Sequence, residues 1–150
     1  MFSYAVVESA LADVFDVEAP GRAALRSRIR NLQRLGLRPA SPGSGKRTLY
    51  SFSDLCDLTL ALTLAEFGTD PKKIVTQVEP GSTAKQPKGR FCVFIPKNFS
   101  QGGSDLMFIN EASVTKMAVH GSSLAVINID WLLFRVGAHT TGREIKRDDS

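Results

Sequence analysis

The segment from Pro20 to Tyr50 carries eight cationic side chains and no aspartate or glutamate. The spacing of its apolar residues and the positions of its glycines and prolines predict a helix followed by an irregular loop. The rest of the chain holds eleven cations and fifteen anions, so the net charge of +4 hides a strongly polarised molecule. A basic helix and loop of this kind favour a polyanionic partner, and nucleic acid is the expected one.

Residues Arg22 to Leu35 are predicted to form an amphipathic α-helix. Pro20 is placed to lie in its first turn, and Gly36 to end it in the left-handed conformation that glycine adopts at low cost. Three apolar residues at helical spacing should form one narrow buried stripe: Leu25, Ile29 and Leu32.

The opposite face of this helix combines small residues with arginines. Its members are Ala23, Ser27, Arg30 and Arg34, with Arg26 and Asn31 on the flanks. Small side chains let a helix approach a groove closely, while arginine and asparagine recognise guanine and adenine edges by paired hydrogen bonds. A merely solvated face usually mixes charge signs to gain i,i+4 pairs, and this one has no carboxylate. The pattern therefore favours nucleic-acid binding.

A wing is predicted to follow the helix, over residues 39–50. The stretch from Ser41 to Gly45 is too rich in glycine, proline and serine for regular structure, and Lys46 to Tyr50 is typical of a short return strand. Ser53 is then a suitable N-cap for an apolar helix over residues 54–67. Helix and wing together are expected to contact adjacent parts of one duplex.

Three motifs occur in the order and spacing of a known family. Ile29–Pro39, Leu49–Leu55 and Asp70–Ile74 resemble the end of the recognition helix and the starts of the third and fourth helices in the MerR family of transcription regulators. The resemblance covers residues 3 to 78, about half of the chain. It implies a winged helix-turn-helix domain that binds double-stranded DNA, in which Arg30 and Arg34 match helix positions.

The sequence also departs from the family pattern. Asn31 and Leu32 replace a pair of aromatic residues in the recognition helix, and Thr48 replaces a frequent wing arginine. Pro80 cuts short the helix that would continue into the family's long dimerisation helix, so that mode of dimerisation is not expected here.

Charge, helix geometry and resemblance together define the expected DNA-binding residues. They are Arg22, Arg26, Ser27, Arg30, Asn31, Arg34, Arg38, Lys46, Arg47 and Tyr50, the last of which matches the exit of the family's wing. The proposed arrangement places the helix over residues 22–35 in the major groove and the wing on the backbone or in the minor groove.

The predicted fold class is α+β, with a helical DNA-binding domain over residues 1–79, a linker over 80–89, a small β-rich domain over 90–139 and a disordered tail over 140–150. Apolar runs predict strands over residues 91–95, 106–109 and 124–127, and either a strand or a helix over 114–119. A final helix over 130–138 should bury Trp131, Phe134 or Val136.

The second domain is too small for a comfortable core of its own. It is therefore expected to pack on the first domain or on a second copy of itself. A homodimer is the preferred expectation, because dimers bind two half-sites on DNA. A role as a small-molecule sensor is the alternative use for this domain.

The sequence gives little support for an enzymatic function, and none is expected. His120 and His139 have no partner at metal or triad spacing, and Gly43–Lys46 lacks the spacing of a phosphate-binding loop. Cys56 and Cys92 are expected to be buried thiols, so neither a metal nor a cofactor is predicted. No apolar run approaches the ~20 residues of a membrane span, and a cytoplasmic, nucleoid-associated protein is expected.

Two other functions use the same features. A nucleoid-like or RNA-binding protein would use the basic charge without discriminating between bases. A protein-interaction module would dock its C-terminal sheet on a transcription or phage factor, for which RNA polymerase is the candidate partner. The basic helix face carries no aromatic residue on which single-stranded bases could stack, so double-stranded DNA is preferred.

Overall fold

The computed structural model describes residues 1–37, 39, 48–96, 105–118 and 123–141. The first half of this part holds the helices α1 (Tyr4–Val14), α2 (Arg22–Leu35), α3 (Phe52–Glu66) and α4 (Pro71–Gln77). The second half holds β1 (Arg90–Phe94), β2 (Met107–Asn110), α5 (Glu111–Ala118), β3 (Ala125–Asn128) and α6 (Ile129–Thr140). The α+β class predicted from the sequence, with helices first and a small sheet and C-terminal helix after them, is confirmed.

Helix α2 has the bounds and the buried stripe that the sequence predicts. Leu25, Ile29 and Leu32 are all buried in the core. Gly36 ends the helix with a φ of 123°, a backbone conformation that a side chain would strain. Pro20 lies in a short 3-10 turn just before the helix, rather than in its first turn.

Helix α3 begins earlier than predicted, because its N-cap is Ser51 and not Ser53. The Ser51 hydroxyl oxygen accepts a hydrogen bond from the Asp54 amide at 3.1 Å, and the Asp54 carboxylate accepts one from the Ser51 amide at 2.7 Å. This reciprocal pair satisfies two backbone donors at the helix start, which a cap at Ser53 would leave exposed.

The predicted linker over residues 80–89 is anchored against α3. The buried Asp57 carboxylate accepts hydrogen bonds from the amides of Gly81 and Thr83, the latter at 3.2 Å. Thr83 is itself fully buried. The proline, glycine and serine content of this segment is typical of a flexible linker. The segment nevertheless forms consecutive turns, which hydrogen bonds to Asp57 hold in place.

The buried position of Asp57 predicts a specific pH dependence. Burial raises the pKa of this carboxyl above its usual 3.8, although hydrogen bonds from Thr83 and Gly81 oppose the shift. The folded protein therefore binds this proton more tightly than the unfolded chain, so its contribution to stability falls as pH rises. We expect the wild type to lose stability relative to Asp57→Asn as pH rises from about 3.8 through the folded-state pKa. Urea unfolding of both proteins across the acid range measures this, and parallel stability curves would contradict it.

The sheet has β1 at its centre, with the strand order β2-β1-β3 and antiparallel pairing throughout. Cys92 of β1 pairs with Phe108 on one side and Ile127 on the other. The sequence predicted either a strand or a helix over residues 114–119. The structure has a helix there, because residues 114–118 belong to α5. This helix contacts β1 and β2.

Helix α6 buries a different stripe from the one predicted. It starts at Ile129, where the Asn128 side chain accepts a hydrogen bond from the Trp131 amide at 3.0 Å. Its buried residues recur at helical spacing: Ile129, Leu132, Val136 and Thr140. Of the three predicted core residues only Val136 is buried, because Trp131 is 57% exposed and Phe134 is 70% exposed.

Both halves of the chain contribute to one hydrophobic core. Helix α6 packs against α1 and α3, and its Leu132 and Val136 belong to the same buried cluster as Leu11 of α1 and Leu58 of α3. Strand β1 adds Phe94 to this cluster. The C-terminal half therefore gains its core by packing on the N-terminal helices. Of the predicted tail, residues 142–150 lie outside the described residues, while Thr140 ends α6.

The two cysteines are buried free thiols, as predicted. Cys56 lies in α3 and Cys92 in β1, and neither forms a disulfide. Burial raises the pKa of each thiol to about 12. Both therefore stay protonated and serve as small apolar core residues.

Candidate nucleic-acid interface

The outward face of α2 is exposed in the way the sequence predicts. Ala23, Ser27, Arg30 and Arg34 lie at the surface, opposite the buried stripe of the same helix. The core therefore holds this helix by one side and leaves its basic side open. We call these four residues, together with Asn31, the α2 outer face.

The arginines of the α2 outer face keep their charge available. Arg34 donates a hydrogen bond to the Asn31 side-chain oxygen at 3.0 Å, which orients the guanidinium along the face. Across the described ranges, neither Arg30 nor Arg34 forms an ion pair with a carboxylate. Ser27 donates its hydroxyl hydrogen to the Ala23 carbonyl at 3.0 Å, so its side chain lies close to the helix. The first half of the face therefore carries small side chains, and the arginines lie on its second half.

Arg26 is less available for contact with an anion than the sequence suggests. Its Nε atom lies 3.2 Å from the Glu8 carboxylate of α1, and the Arg26 side chain is 46% exposed. A surface ion pair of this kind contributes only about 0–1 kcal/mol to stability. It joins α1 to α2 and partly neutralises Arg26, so this residue is a weaker candidate for contacting an anion. Arg22, at the start of the helix, is only partly exposed.

Arg30 lies beside the first helix. Burial raises the pKa of Tyr4 in α1, and the positive charge of Arg30 opposes that shift. The Tyr4 ring in turn packs against Tyr50, with ring centroids 6.3 Å apart. Arg30 is thereby placed at the junction of α1 and α2, with its exposed part toward solvent.

Tyr50 belongs to the core and not to the surface. Its side chain is 1% exposed, and its backbone pairs with Phe2 in an isolated β-bridge. The resemblance to a family wing predicts Tyr50 to be a DNA-binding residue, because it matches the exit of that wing. A side chain buried to this degree has no surface to offer, so we leave Tyr50 out of the candidate interface.

Gln33 is a structural residue that the sequence analysis missed. It is buried, and its amide nitrogen donates to the Tyr50 hydroxyl and to the Pro39 carbonyl, each at 2.8 Å. It thus ties the last turn of α2 to residues on both sides of the predicted wing. One signal was available, since a helical projection places residue 33 beside Ile29 on the buried side.

The remaining predicted contacts lie outside the described residues. Arg38, Lys46 and Arg47 are in this group, together with most of the predicted wing over 39–50. Of that wing the structure describes Pro39 and residues 48–50. The role of its basic residues stays a prediction.

Arg135 is a second residue that the sequence analysis missed. From α6 its Nη2 atom donates to the Val14 carbonyl at 2.7 Å and to the Asp13 carbonyl at 3.3 Å, and lies 3.6 Å from the Asp16 carboxylate. A cation at the C-terminal carbonyls of a helix satisfies orphan acceptors and complements the helix dipole. Arg135 therefore fixes the end of α1, where the chain turns toward α2.

We expect Arg135→Ala to lower the free energy of unfolding by about 1.5–3 kcal/mol, the usual range for hydrogen bonds to a charged group. Arg135→Lys is the matched control, because it keeps the positive charge but replaces the guanidinium, whose Nη2 atom donates to both carbonyls, by a shorter and more strongly hydrated ammonium. It should fall between wild type and Arg135→Ala in urea unfolding. Equal stability of all three proteins would show that the contact contributes nothing.

The described part of the chain shows few features that point to other kinds of functional site. No group of three or more His, Cys, Asp or Glu residues there is placed to hold a metal ion. His139 lies 4.0 Å from the Asp13 carboxylate, while His120 falls outside the described residues. None of the described helices is both long and apolar enough to cross a membrane.

The α2 outer face is thus a partly cationic surface on a helix whose other side is buried, with small residues in its first half and arginines in its second. Comparison of the chain with protein-family models, with curated proteins and with solved structures gives no match.

Proposed function

We propose that this chain is a sequence-specific regulator that binds double-stranded DNA through the α2 outer face. One observation carries the proposal: Arg30 and Arg34 are exposed on one side of a helix whose other side is locked in the core, and no described carboxylate neutralises them. A helix of 14 residues held in this way has the form of an element that enters a major groove.

The chemistry of the face favours base recognition over charge alone. Arginine donates two parallel hydrogen bonds to guanine, and asparagine pairs in the same way with adenine. Arg34 and Asn31 hold each other at 3.0 Å in the free protein, so both groups are already aligned. Pre-alignment lowers the side-chain entropy lost on binding. The small Ala23 and Ser27 would let the helix backbone approach the bases.

The order of elements also supports the proposal. The MerR-like motifs of the sequence fall on the end of α2, the start of α3 and the start of α4. Gln33 closes the base of the segment between α2 and α3, where the resemblance implies a wing. Lys46 and Arg47 in that segment would contact phosphates, which adds affinity that depends on salt but not on sequence.

Selection of bound duplexes from a random DNA pool, at about physiological ionic strength, tests the proposal. We expect enrichment of a defined motif by the purified 150-residue chain. Binding without enrichment would contradict sequence specificity and favour the nucleoid-like or RNA-binding alternative. Absence of binding would contradict the proposal as a whole and favour a protein-interaction module.

A further inference from the structure

An apolar cavity of about 220 Å³ lies where the end of α1, one flank of α2 and the end of α3 meet. Its apolar walls include Phe15 and Val17, which follow α1, with Leu25 of α2 and Leu62 of α3. A cavity of about 150 Å³ with walls of this kind holds a benzene ring. This one therefore has room for a ring or a branched aliphatic side chain together with a few polar atoms. We call it the α1–α2–α3 cavity.

Two small residues on the flank of α2 keep the cavity open. Gly21 and Ala24 are spaced at i and i+3, and both line it. Gly21 has a φ of −81°, which any residue adopts, so its backbone conformation does not require glycine. A Cβ at this position would lie only 2.9 Å from the Cγ1 atom of Val17, which is part of the wall. A larger residue at position 21 would therefore displace Val17, and a larger one at position 24 would occupy the cavity itself.

Two opposite charges border the apolar walls. Arg28 follows Ala24 at i+4 on α2, and Glu66 follows Leu62 at i+4 on α3. Both side chains line the cavity and both residues are exposed, so the charges lie where it opens to solvent. In the part of the chain that the structure describes, Arg28 and Glu66 form no ion pair with each other or with another residue. The opening is thus complementary to a molecule that carries one negative and one positive group.

We propose that the α1–α2–α3 cavity binds a free apolar α-amino acid. In this arrangement the carboxylate of the ligand pairs with the Arg28 guanidinium, its ammonium pairs with the Glu66 carboxylate, and its side chain leaves water for the apolar walls. A simple carboxylate would be repelled by Glu66, and a simple amine by Arg28. The zwitterion is therefore the favoured class of ligand.

The affinity should be moderate, because the ligand is small and its charged partners are exposed. We expect a Kd on the order of 0.1–1 mM. The cavity includes no residue of the α2 outer face, so the inference does not rest on the proposed function.

Titration of the isotopically labelled 150-residue chain with L-phenylalanine and with L-leucine, followed by amide NMR, tests the proposal. The amide signals of Val17, Gly21 and Glu66 should shift in a saturable way with one common Kd, while the signal of Gly89 stays in place. Phenylpropanoate and phenylethylamine each lack one charge of L-phenylalanine and should bind about tenfold more weakly. L-Glutamate has the same two backbone charges but a polar side chain, and it should not bind.

Two charge-removing variants should give opposite patterns. Arg28→Gln should weaken the binding of L-phenylalanine by about tenfold but bind phenylethylamine at least as tightly as the wild type. Glu66→Gln should also weaken the binding of L-phenylalanine, but it should bind phenylpropanoate at least as tightly as the wild type. Ala24→Leu fills the cavity and should abolish the binding of all three compounds.

Glu79→Gln is the matched control for Glu66→Gln. It also removes an exposed carboxylate, but Glu79 follows α4 and does not line the cavity. This variant should bind L-phenylalanine like the wild type. All four substituted residues are exposed, and circular dichroism would verify that each variant is folded.

Absence of saturable shifts with both amino acids would overturn the proposal. Equal binding of L-phenylalanine and phenylpropanoate would overturn it as well, because the ammonium would then contribute nothing. Unchanged binding by Ala24→Leu would place the ligand outside the cavity and contradict the assignment. These titrations contain no DNA, so their outcome is distinguishable from failure of the proposed function.

Discussion

Arg34→Ala is expected to weaken binding to the selected DNA site by about 1–3 kcal/mol, or roughly fivefold to 150-fold, and to relax base preference at one position. The loss comes from a forked pair of hydrogen bonds to a base edge, for which Asn31 already orients the guanidinium at 3.0 Å. Arg30→Ala should have an effect of the same size at a neighbouring position. Titration of each variant against matched and single-base-changed duplexes measures both affinity and preference.

Arg28→Ala is the matched control for these two variants. Arg28 is an exposed arginine of the same helix, but it lies on another side of it, where it lines a surface cavity together with Leu62 and Glu66 of α3. Removing it takes away one positive charge without touching the α2 outer face. We expect a smaller loss of affinity than for Arg34→Ala. This loss should be equal for all DNA sequences and should become smaller as the salt concentration rises. If Arg28→Ala and Arg34→Ala weaken binding equally and preference does not change, the groove assignment is wrong.

Arg34→Lys separates charge from hydrogen-bond geometry. Lysine keeps the positive charge but presents a single ammonium instead of a planar fork. The variant should keep the salt dependence of the wild type and lose most of the base preference. Full retention of preference would mean that Arg34 contacts phosphate and not a base.

Gln33→Leu is expected to lower the free energy of unfolding by about 2–4 kcal/mol, the largest effect on stability that we predict. The substitution removes two hydrogen bonds of 2.8 Å and leaves the Tyr50 hydroxyl and the Pro39 carbonyl without their partner. An unsatisfied polar group in the interior costs more than the bond itself contributed, because it has lost water as well. Urea unfolding followed by circular dichroism gives the difference.

A double-mutant cycle with Tyr50→Phe isolates the Gln33–Tyr50 bond. Tyr50→Phe alone should cost about 1 kcal/mol, since Gln33 keeps its bond to Pro39. Added to Gln33→Leu it should cost little, because it removes a hydroxyl that is already unsatisfied. Strictly additive effects would indicate that the two side chains do not interact in solution.

The sequence predicted local structure well where both ends of an element carry chemical signals. Helix α2 is the best case: Gly36 and an apolar stripe of three residues defined its bounds correctly, although Pro20 lies in the 3-10 turn before the helix and not in its first turn. For α3 the signals were ambiguous, since Ser51 and Ser53 are both good caps and only the reciprocal bond with Asp54 decides between them. For α6 the hydropathy of Trp131 and Phe134 suggested burial. The helix turns a different side toward the core, so both residues are exposed.

The residues that brace the candidate interface could not be predicted, because their contacts are distant in sequence. Gln33 meets Tyr50 across 17 positions, and Arg135 meets the Val14 carbonyl across 121. Neither contact has a local pattern in the sequence around it. By contrast, the α2 outer face follows from helical periodicity alone, which is why Arg30 and Arg34 were found and their supports were not.

The shared core has a consequence for synthesis on the ribosome. The basic helix is made early, but Leu132 and Val136, which complete the cluster around α1 and α3, lie more than a hundred residues later than α1. Until they emerge, nascent α1 and α3 expose the apolar surface that α6 will cover, and the end of α1 lacks its cation from Arg135. Fragments that stop near residue 80 should thus aggregate or be degraded before they compete for DNA. Under the proposed function, DNA binding would then be restricted to molecules whose translation has passed α6.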